Sequence, residues 1–328
     1  MLIITRSELQ RLIPMERAIE AVAAAFVQLS AGQADVPLRH HLAVPPADAL
    51  ALIMPAYLAP SGALGVKLLT LFPHNAGGAL PVIQAMLVLF DPTDGRALAL
   101  MDGTYLTSLR TGAASGVATQ QMARADAHTL VIFGAGAMAL HQVWAVCAVR
   151  PIRRVIIVNR SFEPAARLAK TLRAVGSPAP TDISIASNPP AALAEADVVC
   201  LATASTTPLF RDADVRDGTH INGIGSYTAG MQELPGSTVA RARVVVDQRA
   251  AAWAEAGDLV IPCQQGLIGK DHIVGELGEV VAGRVAGRVS EHDITFFKSV
   301  GNAAQDVAVA QLAYALACVA GAGTEITL

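Results

Sequence analysis

Between Thr129 and Val149 the chain carries no Asp, Glu, Lys or Arg, and inside that stretch an apolar run, Leu130-Val-Ile-Phe133, turns at Gly134-Ala-Gly136-Ala-Met138-Ala139. The stretch is long enough for a membrane helix. Its two glycines and His141 contradict that use. A strand that ends in G-x-G-x-x-G/A and reopens as a helix is instead the phosphate-binding turn of a dinucleotide fold. Gly134 permits the tight turn, Gly136 lets the main chain approach a pyrophosphate, and Ala139 lets helix and strand pack closely. The context is the required one: Arg154-Val-Ile-Ile-Val158 supplies a second strand, and Asn159 follows Gly136 by 23 residues, near the roughly 20 expected of the ribose-recognising position. An acid there would hold the ribose 2′-hydroxyl and repel a 2′-phosphate, whereas neutral Asn159 followed by Arg160 and Ser161 can accept the phosphate. NADP(H) is therefore favoured, with NAD(H) the alternative if Arg160 is only a solvated residue.

The remaining segments arrange themselves around this turn. Ser7 with Gln10 reads as a capping box, and Pro14 opens a helix over 15–29 with Ile19, Val22, Ala23, Phe26 and Val27 on one face. Segments 51–57, 64–71, 82–90 and 97–102 are short, apolar and punctuated by Gly, Pro or Asp-Gly, as meandering strands are. From Thr129 onward strands alternate with helices: a helix over 163–175 follows the second strand, and 197–201, 219–222 and 243–247 read as further strands. Such alternation means a parallel sheet. The chain from Phe296 on reads as a long Ala-rich helix, apolar on all sides and so in need of burial. The expected fold class is α/β: a Rossmann-type doubly wound parallel sheet plus an N-terminal α+β domain completed by the C-terminal helix, with bounds at 1–122, 123–300 and 301–328.

Composition narrows the function classes. Hydrophobic residues make up 53% of the 328 and charged residues 16%, the second well below the roughly 25% of an ordinary globular chain. A second uncharged stretch, Val307 to Thr324, is rich in alanine and contains Gln311, which fits a packed helix better than a membrane span. Arg6, Glu8 and Arg11 interrupt any secretory signal, so a cytoplasmic location without a membrane partner is expected. With 24 Lys+Arg against 27 Asp+Glu and no run of like charge, nucleic acid is not an expected partner. Cys147, Cys200, Cys263 and Cys318 lie far apart and read as reduced core residues, and the eight histidines show no metal spacing.

Cations are scarce in the first domain after Arg17. Arg39 follows Pro37-Leu38, Lys67 sits in the apolar run Gly65-Val-Lys-Leu-Leu69, and Arg110 lies in Thr107-Ser-Leu-Arg-Thr-Gly112. A lysine inside an apolar strand is costly without an anionic partner. Brought together, the three would clamp a carboxylate, the arginines bidentately. Spacing alone leaves open the other reading, three unrelated surface charges.

Met54-Pro-Ala-Tyr57, Gly65-Val-Lys67, Phe90-Asp-Pro-Thr-Asp-Gly95, Ser108-Leu-Arg-Thr-Gly-Ala-Ala-Ser115, the glycine loop, Ile221-Asn-Gly-Ile-Gly-Ser226 with Gln232-Glu-Leu234, and Phe297-Lys-Ser-Val-Gly301 with Asp306 occur in this order along nearly the whole chain. In this the chain resembles the ornithine cyclodeaminase/mu-crystallin family. The resemblance implies a homodimer whose N-terminal domain binds substrate and dimerises and whose Rossmann domain binds NAD(P). It places Arg39, Lys67 and Arg110 around the substrate carboxylate and the nicotinamide, with Lys67 and Arg110 as the catalytic candidates. Thr111 and Gly112 match the loop beside the cofactor, Ala137 and Met138 the pyrophosphate turn, and Asn159 the ribose position. Thr203, Ile224, Gly225 and Ser299 match further dinucleotide contacts.

Three positions depart from the ornithine cyclodeaminases: Tyr227 stands where they have an Asp that handles the substrate amine, Val82 where they have Thr, and Met231 where they have Lys. Losing that acid removes the general base needed for attack of the side-chain amine on an imine. The function expected is therefore NAD(P)H-dependent reduction of a small cyclic imino acid, with Tyr227 at the substrate. Deamination of ornithine or alanine is the alternative, and a non-catalytic crystallin-like binding protein is a third reading.

Overall fold

The computed structural model describes residues 1–327. Contacts divide the chain into two compact units: Met1–Arg110 together with the chain from Asn302 onward, and Thr111–Gly301. The first boundary falls inside the helix Gly103–Met122, ahead of the 122 expected from sequence.

In the first unit an eight-stranded sheet is built from Leu2–Ile4, Ala34–Asp35, His40–Val44, Ala49–Leu58, Ala63–Leu71, Ile83–Phe90, Ala97–Asp102 and Thr324–Glu325. Pairing is antiparallel except between Leu2–Ile4 and Ala97–Asp102. Side chains alternate across a strand, and in Ala63–Leu71 this buries Ala63, Gly65, Lys67 and Leu69 on one face while Leu68 is exposed on the other. The buried face lies under the helix Ala303–Ala320, whose Ala303, Ala304, Val307 and Ala308 join the core of this sheet. Alanines let helix and sheet approach closely. Gly65 is required by that approach, because a Cβ there would stand 2.8 Å from the Val88 carbonyl and 3.1 Å from Val307.

The helix Met15–Ser30 presents Met15, Ala18, Ile19, Val22, Ala25 and Phe26 on one buried stripe and packs on Ala303–Ala320. Ala303–Ala320 alone is long and apolar enough to cross a membrane among the described residues, but 56% of it is buried in the protein. The N-terminal capping box is two residues earlier than the sequence suggests: Thr5, not Ser7, precedes the helix Arg6–Leu12, and its backbone N–H donates to Glu8 Oε2 at 2.8 Å.

The second unit is a parallel sheet in the spatial order Asp182–Ala186, Arg154–Val158, Thr129–Phe133, Val198–Leu201, His220–Gly223, Thr295–Lys298, Arg243–Val246, Ile273–Glu276. The expected doubly wound α/β class is what forms. Chain order runs outward in one direction from Thr129–Phe133 to Asp182–Ala186 and then restarts on the other side at Val198–Leu201, so the switch point lies between those two central strands, where such sheets receive ligands.

Phe296 belongs to a strand, not to the terminal helix expected of it. Thr295–Lys298 pairs on both sides, with His220–Gly223 and Arg243–Val246, and Phe296 and Phe297 are wholly enclosed there. The cysteines are free as expected, but only Cys200 is buried and Cys318 is exposed. No cluster of metal-ligating side chains occurs among the described residues.

Candidate active site

Lys67 is 1% exposed, and its cost is met from far along the chain. Its Nζ donates to Asp306 Oδ2 at 2.7 Å, and Arg110 Nε donates to the other oxygen, Oδ1, at 3.0 Å. Asp306 is fully enclosed. Arg110 Nη1 also donates to Gln305 Oε1 at 2.8 Å, which fixes the orientation of that amide. The Gln305 Nε2 group is then left buried without a partner, as are both side-chain polar atoms of Asn302, the residue preceding the helix. Buried polar groups are nearly always paired, so such orphans mark where a ligand belongs.

Burial pushes the Lys67 ammonium down to about 8; Asp306 holds it up, and Arg110 and Arg39 press it down further. Arg39, half-buried just ahead of His40–Val44, is thus within electrostatic reach of the pair. Three cations face one carboxylate, and the excess positive charge suits an anionic ligand.

The expected cofactor residues lie, with two exceptions, directly beyond the carboxyl ends of parallel strands. Gly134, Gly136, Ala137 and Met138 follow Thr129–Phe133; Asn159, Arg160 and Ser161 follow Arg154–Val158; Thr203 follows Val198–Leu201; Ile224 and Gly225 follow His220–Gly223; Ser299 follows Thr295–Lys298. Gly134 has φ +98°, and a Cβ on it would stand 2.5 Å from the Ala202 carbonyl oxygen. Gly136 is exposed, and the direction of its missing Cβ is open space. The helix Ala139–Val149 starts without a side-chain cap, and its first N–H, that of Ala139, donates to the Gly136 carbonyl at 3.1 Å, closing the turn. This cradle fits a dinucleotide pyrophosphate.

Asn159 Oδ1 accepts from Ala135 N at 3.2 Å and its Nδ2 donates to the Ser161 carbonyl at 2.8 Å, tying the second strand end to the glycine loop. Arg160 and Ser161 are exposed at the start of the helix Phe162–Val175. The two exceptions, Thr111 and Gly112, lie within Gly103–Met122. The Thr111 carbonyl accepts from Gln142 Nε2 at 3.1 Å, and a side chain on Gly112 would collide with the His141 main chain. Both therefore pack on the helix that follows the glycine loop.

Ser299 and Tyr227 also belong to the second unit. The Ser299 hydroxyl donates to Asp247 Oδ2 at 2.7 Å, and that same oxygen accepts from the Gly301 amide, so Ser299 helps to shape its loop. Tyr227 is 40% exposed, beyond the strand His220–Gly223.

Asp306, Gln305 and Glu233 were not singled out from sequence as site residues. One signal was available for Asp306: it is the sole acidic or basic residue of Ala303–Ala320.

The family model for the ornithine cyclodeaminase/mu-crystallin family matches residues 1–318. A Delta(1)-pyrroline-2-carboxylate reductase of Bacillus cereus is 40% identical over 328 residues, covering 99% of each chain. Among solved structures, the Delta(1)-pyrroline-2-carboxylate reductase of Thermococcus litoralis, in complex with NADH and L-proline, matches with a TM-score of 0.95 at 40% identity, over 99% of this chain and 100% of that one. An archaeal alanine dehydrogenase dimer with bound NAD matches with a TM-score of 0.91 at 34% identity, over 99% and 98%.

Proposed function

Because the chain belongs to the ornithine cyclodeaminase/mu-crystallin family, we propose that it is an NAD(P)H-dependent reductase of a small cyclic imino acid, of the Δ1-pyrroline-2-carboxylate or Δ1-piperideine-2-carboxylate type. The observation that carries this reading is the enclosed Lys67–Asp306–Arg110 arrangement with its uncompensated positive charge. Arg39, Lys67 and Arg110 receive the substrate carboxylate, and the orphaned Gln305 amide adds a neutral donor. Asp306 holds the two buried cations in fixed positions, which orients the substrate ring before reaction. A bound nicotinamide supplies hydride to the imine carbon. The iminium is already cationic, so the protein provides little acid catalysis; Lys67 is the group available to manage the proton on the ring nitrogen. In the second unit Gly134, Gly136, Ala137 and Met138 cradle the pyrophosphate, and Asn159, Arg160 and Ser161 take the adenosine ribose.

The direct test is incubation of the purified protein with the cyclic imine and NADH or NADPH, followed at the nicotinamide absorbance band. No oxidation of either nucleotide overturns the reading. The likeness to alanine dehydrogenase favours a second one, oxidative deamination, which would show instead as alanine-dependent reduction of NAD.

NADP(H) is the preferred cofactor in this reading, supported by the exposed Arg160 and Ser161 beside a neutral Asn159. Arg160→Ala should raise the KM for NADPH about tenfold, the worth of one charge-assisted contact, and leave that for NADH within about twofold. Equal effects on both nucleotides would remove the preference.

The first unit is also the dimerisation domain. On its outward sheet face Ile53 pairs with Leu68 and Leu68 with Met86, a cross-strand row of large apolar side chains all more than a third exposed. Contiguous apolar surface of this kind marks an interface, and a second copy of the chain is the occupant that the dimeric neighbour supports. Leu68→Asp should convert the dimer to a monomer in analytical ultracentrifugation, with the nucleotide-binding unit still folded. A wild-type monomer, or a dimeric variant, would remove this assignment.

A further inference from the structure

Glu233 is wholly enclosed in the second unit, and its carboxylate is where two loops meet. Oε1 accepts from the Thr203 backbone N–H at 2.7 Å and from the Thr203 hydroxyl at 2.8 Å; Oε2 accepts from the Ser226 backbone N–H at 2.9 Å. Thr203 lies beyond the carboxyl end of Val198–Leu201, and Ile224, Gly225 and Ser226 lie beyond that of its neighbour, His220–Gly223. A side chain on Gly225 would collide with the Thr203 carbonyl and the Glu233 carboxylate, so the two loops are in contact around this group.

The backbone that carries this carboxylate is itself held. Asp258 Oδ1 accepts from the backbone N–H groups of Glu233 and Leu234 at 2.7 and 3.0 Å, and Asp258 Oδ2 accepts from Lys298 Nζ at 3.0 Å.

We propose that Glu233 is a positioning residue of the dinucleotide site: as an ionised carboxylate it holds the Thr203 and Ile224–Ser226 loops in the conformation that receives the cofactor. The chemistry is one of charge. Three donors converge on two oxygens, and an ionised carboxylate offers acceptors to all of them. Protonation would remove the charge that strengthens all three of these bonds and so loosen the tie between the loops. Burial pushes the Glu233 carboxyl up to about 7, with Asp258 acting the same way and Lys298 and the Thr203 bonds opposing it. The charged groups that face it are Asp258 from the helix Gly257–Gln264 and Lys298 from the strand Thr295–Lys298, and these hold each other. Cofactor affinity therefore falls as pH falls through about 7.

This inference rests on the reading of the second unit as a dinucleotide domain, and the test separates the two. NADH, which has no 2′-phosphate to titrate, is bound to the full-length protein and followed by nicotinamide fluorescence from about pH 5.5 to 8.5, a window spanning the transition. Wild type should bind about tenfold more tightly at the upper end than at the lower. Glu233→Gln should bind about tenfold more weakly than wild type at high pH and show a flat profile. A flat wild-type profile, or a variant with wild-type affinity or an unchanged slope, overturns the proposal. If the variant does not fold, the wild-type profile alone decides. A wild type that binds neither NADH nor NADPH at any pH removes the cofactor reading, and this proposal with it.

Discussion

Asn in place of Asp306 should lower kcat/KM for the cyclic imine by about a thousandfold, roughly 4 kcal/mol of transition-state stabilisation, and cut folding stability by about 3–5 kcal/mol. Both effects have one source. The carboxylate accepts from Lys67 at 2.7 Å and Arg110 at 3.0 Å with no solvent access. Losing its charge leaves two cations buried beside a neutral amide. Asp306 is the principal group holding the Lys67 ammonium up against burial and two guanidinium groups. Without it the Lys67 ammonium is pushed down further, and the positive partner for the substrate carboxylate is weakened.

The wild-type pH profile carries the same signature. Lys67 titrates near 8, so kcat/KM, which reports the free enzyme, should fall as pH rises through about 8; in the Asn variant the fall moves to lower pH. For stability the sign is opposite. Between the depressed value and the ordinary 10.5 the unfolded chain binds a proton that the folded chain has released, so this group makes stability rise with pH across that window. Thermal unfolding and steady-state kinetics on Asp306→Asn check both halves. The pair Lys67→Met with Asp306→Leu is the control: it leaves Arg110 as the one buried cation without its carboxylate, so it should recover part of the lost melting temperature without restoring turnover. An Asp306→Asn enzyme with wild-type KM and an unshifted profile would mean that the cluster does not bind the substrate.

The parts of this molecule that were legible in sequence are those whose causes are local. The glycine turn needs conformations and clearances that only certain residues supply, so Gly134, Gly136 and Ala139 announce themselves within six positions. The alternating strands and helices of the second unit are legible for the same reason. Lys67 was legible as a cost, a charge in an apolar strand, but the group that meets the cost lies 239 residues on. No periodicity reaches that far. Glu233 was hidden differently: as one residue of Gln232-Glu-Leu234 it carries no sign of enclosure, which comes from two strand ends and the helix Gly257–Gln264 converging on it. The misreading of Phe296 came from apolarity itself, since a run that is buried on every side looks alike as a central strand and as a packed helix. Its length was the better guide. Thr295–Lys298 has four residues and is followed by the positive-φ Gly301, before Ala303 opens the true helix.

Substitutions at the two loop glycines should separate folding from binding. Gly134 has φ +98° and would set a Cβ 2.5 Å from the Ala202 carbonyl, so Gly134→Ala strains the junction of two central strands and should lower the melting temperature as well as nucleotide affinity. At Gly136 the protein places nothing within 4 Å of a Cβ, and the residue does not have positive φ. Gly136→Val should therefore fold with an unchanged melting temperature. Its effect falls on the ligand: the branched side chain stands where the main chain must come close to a pyrophosphate, and NADH affinity should drop by about a hundredfold or more, roughly 2.7 kcal/mol. Calorimetric titration with NADH, beside thermal unfolding of the same preparations, reads the two effects independently. A Gly136→Val protein that keeps both its melting temperature and its NADH affinity would show that the phosphates do not approach this turn, and the assignment of the glycine loop as the cofactor cradle would fall with it.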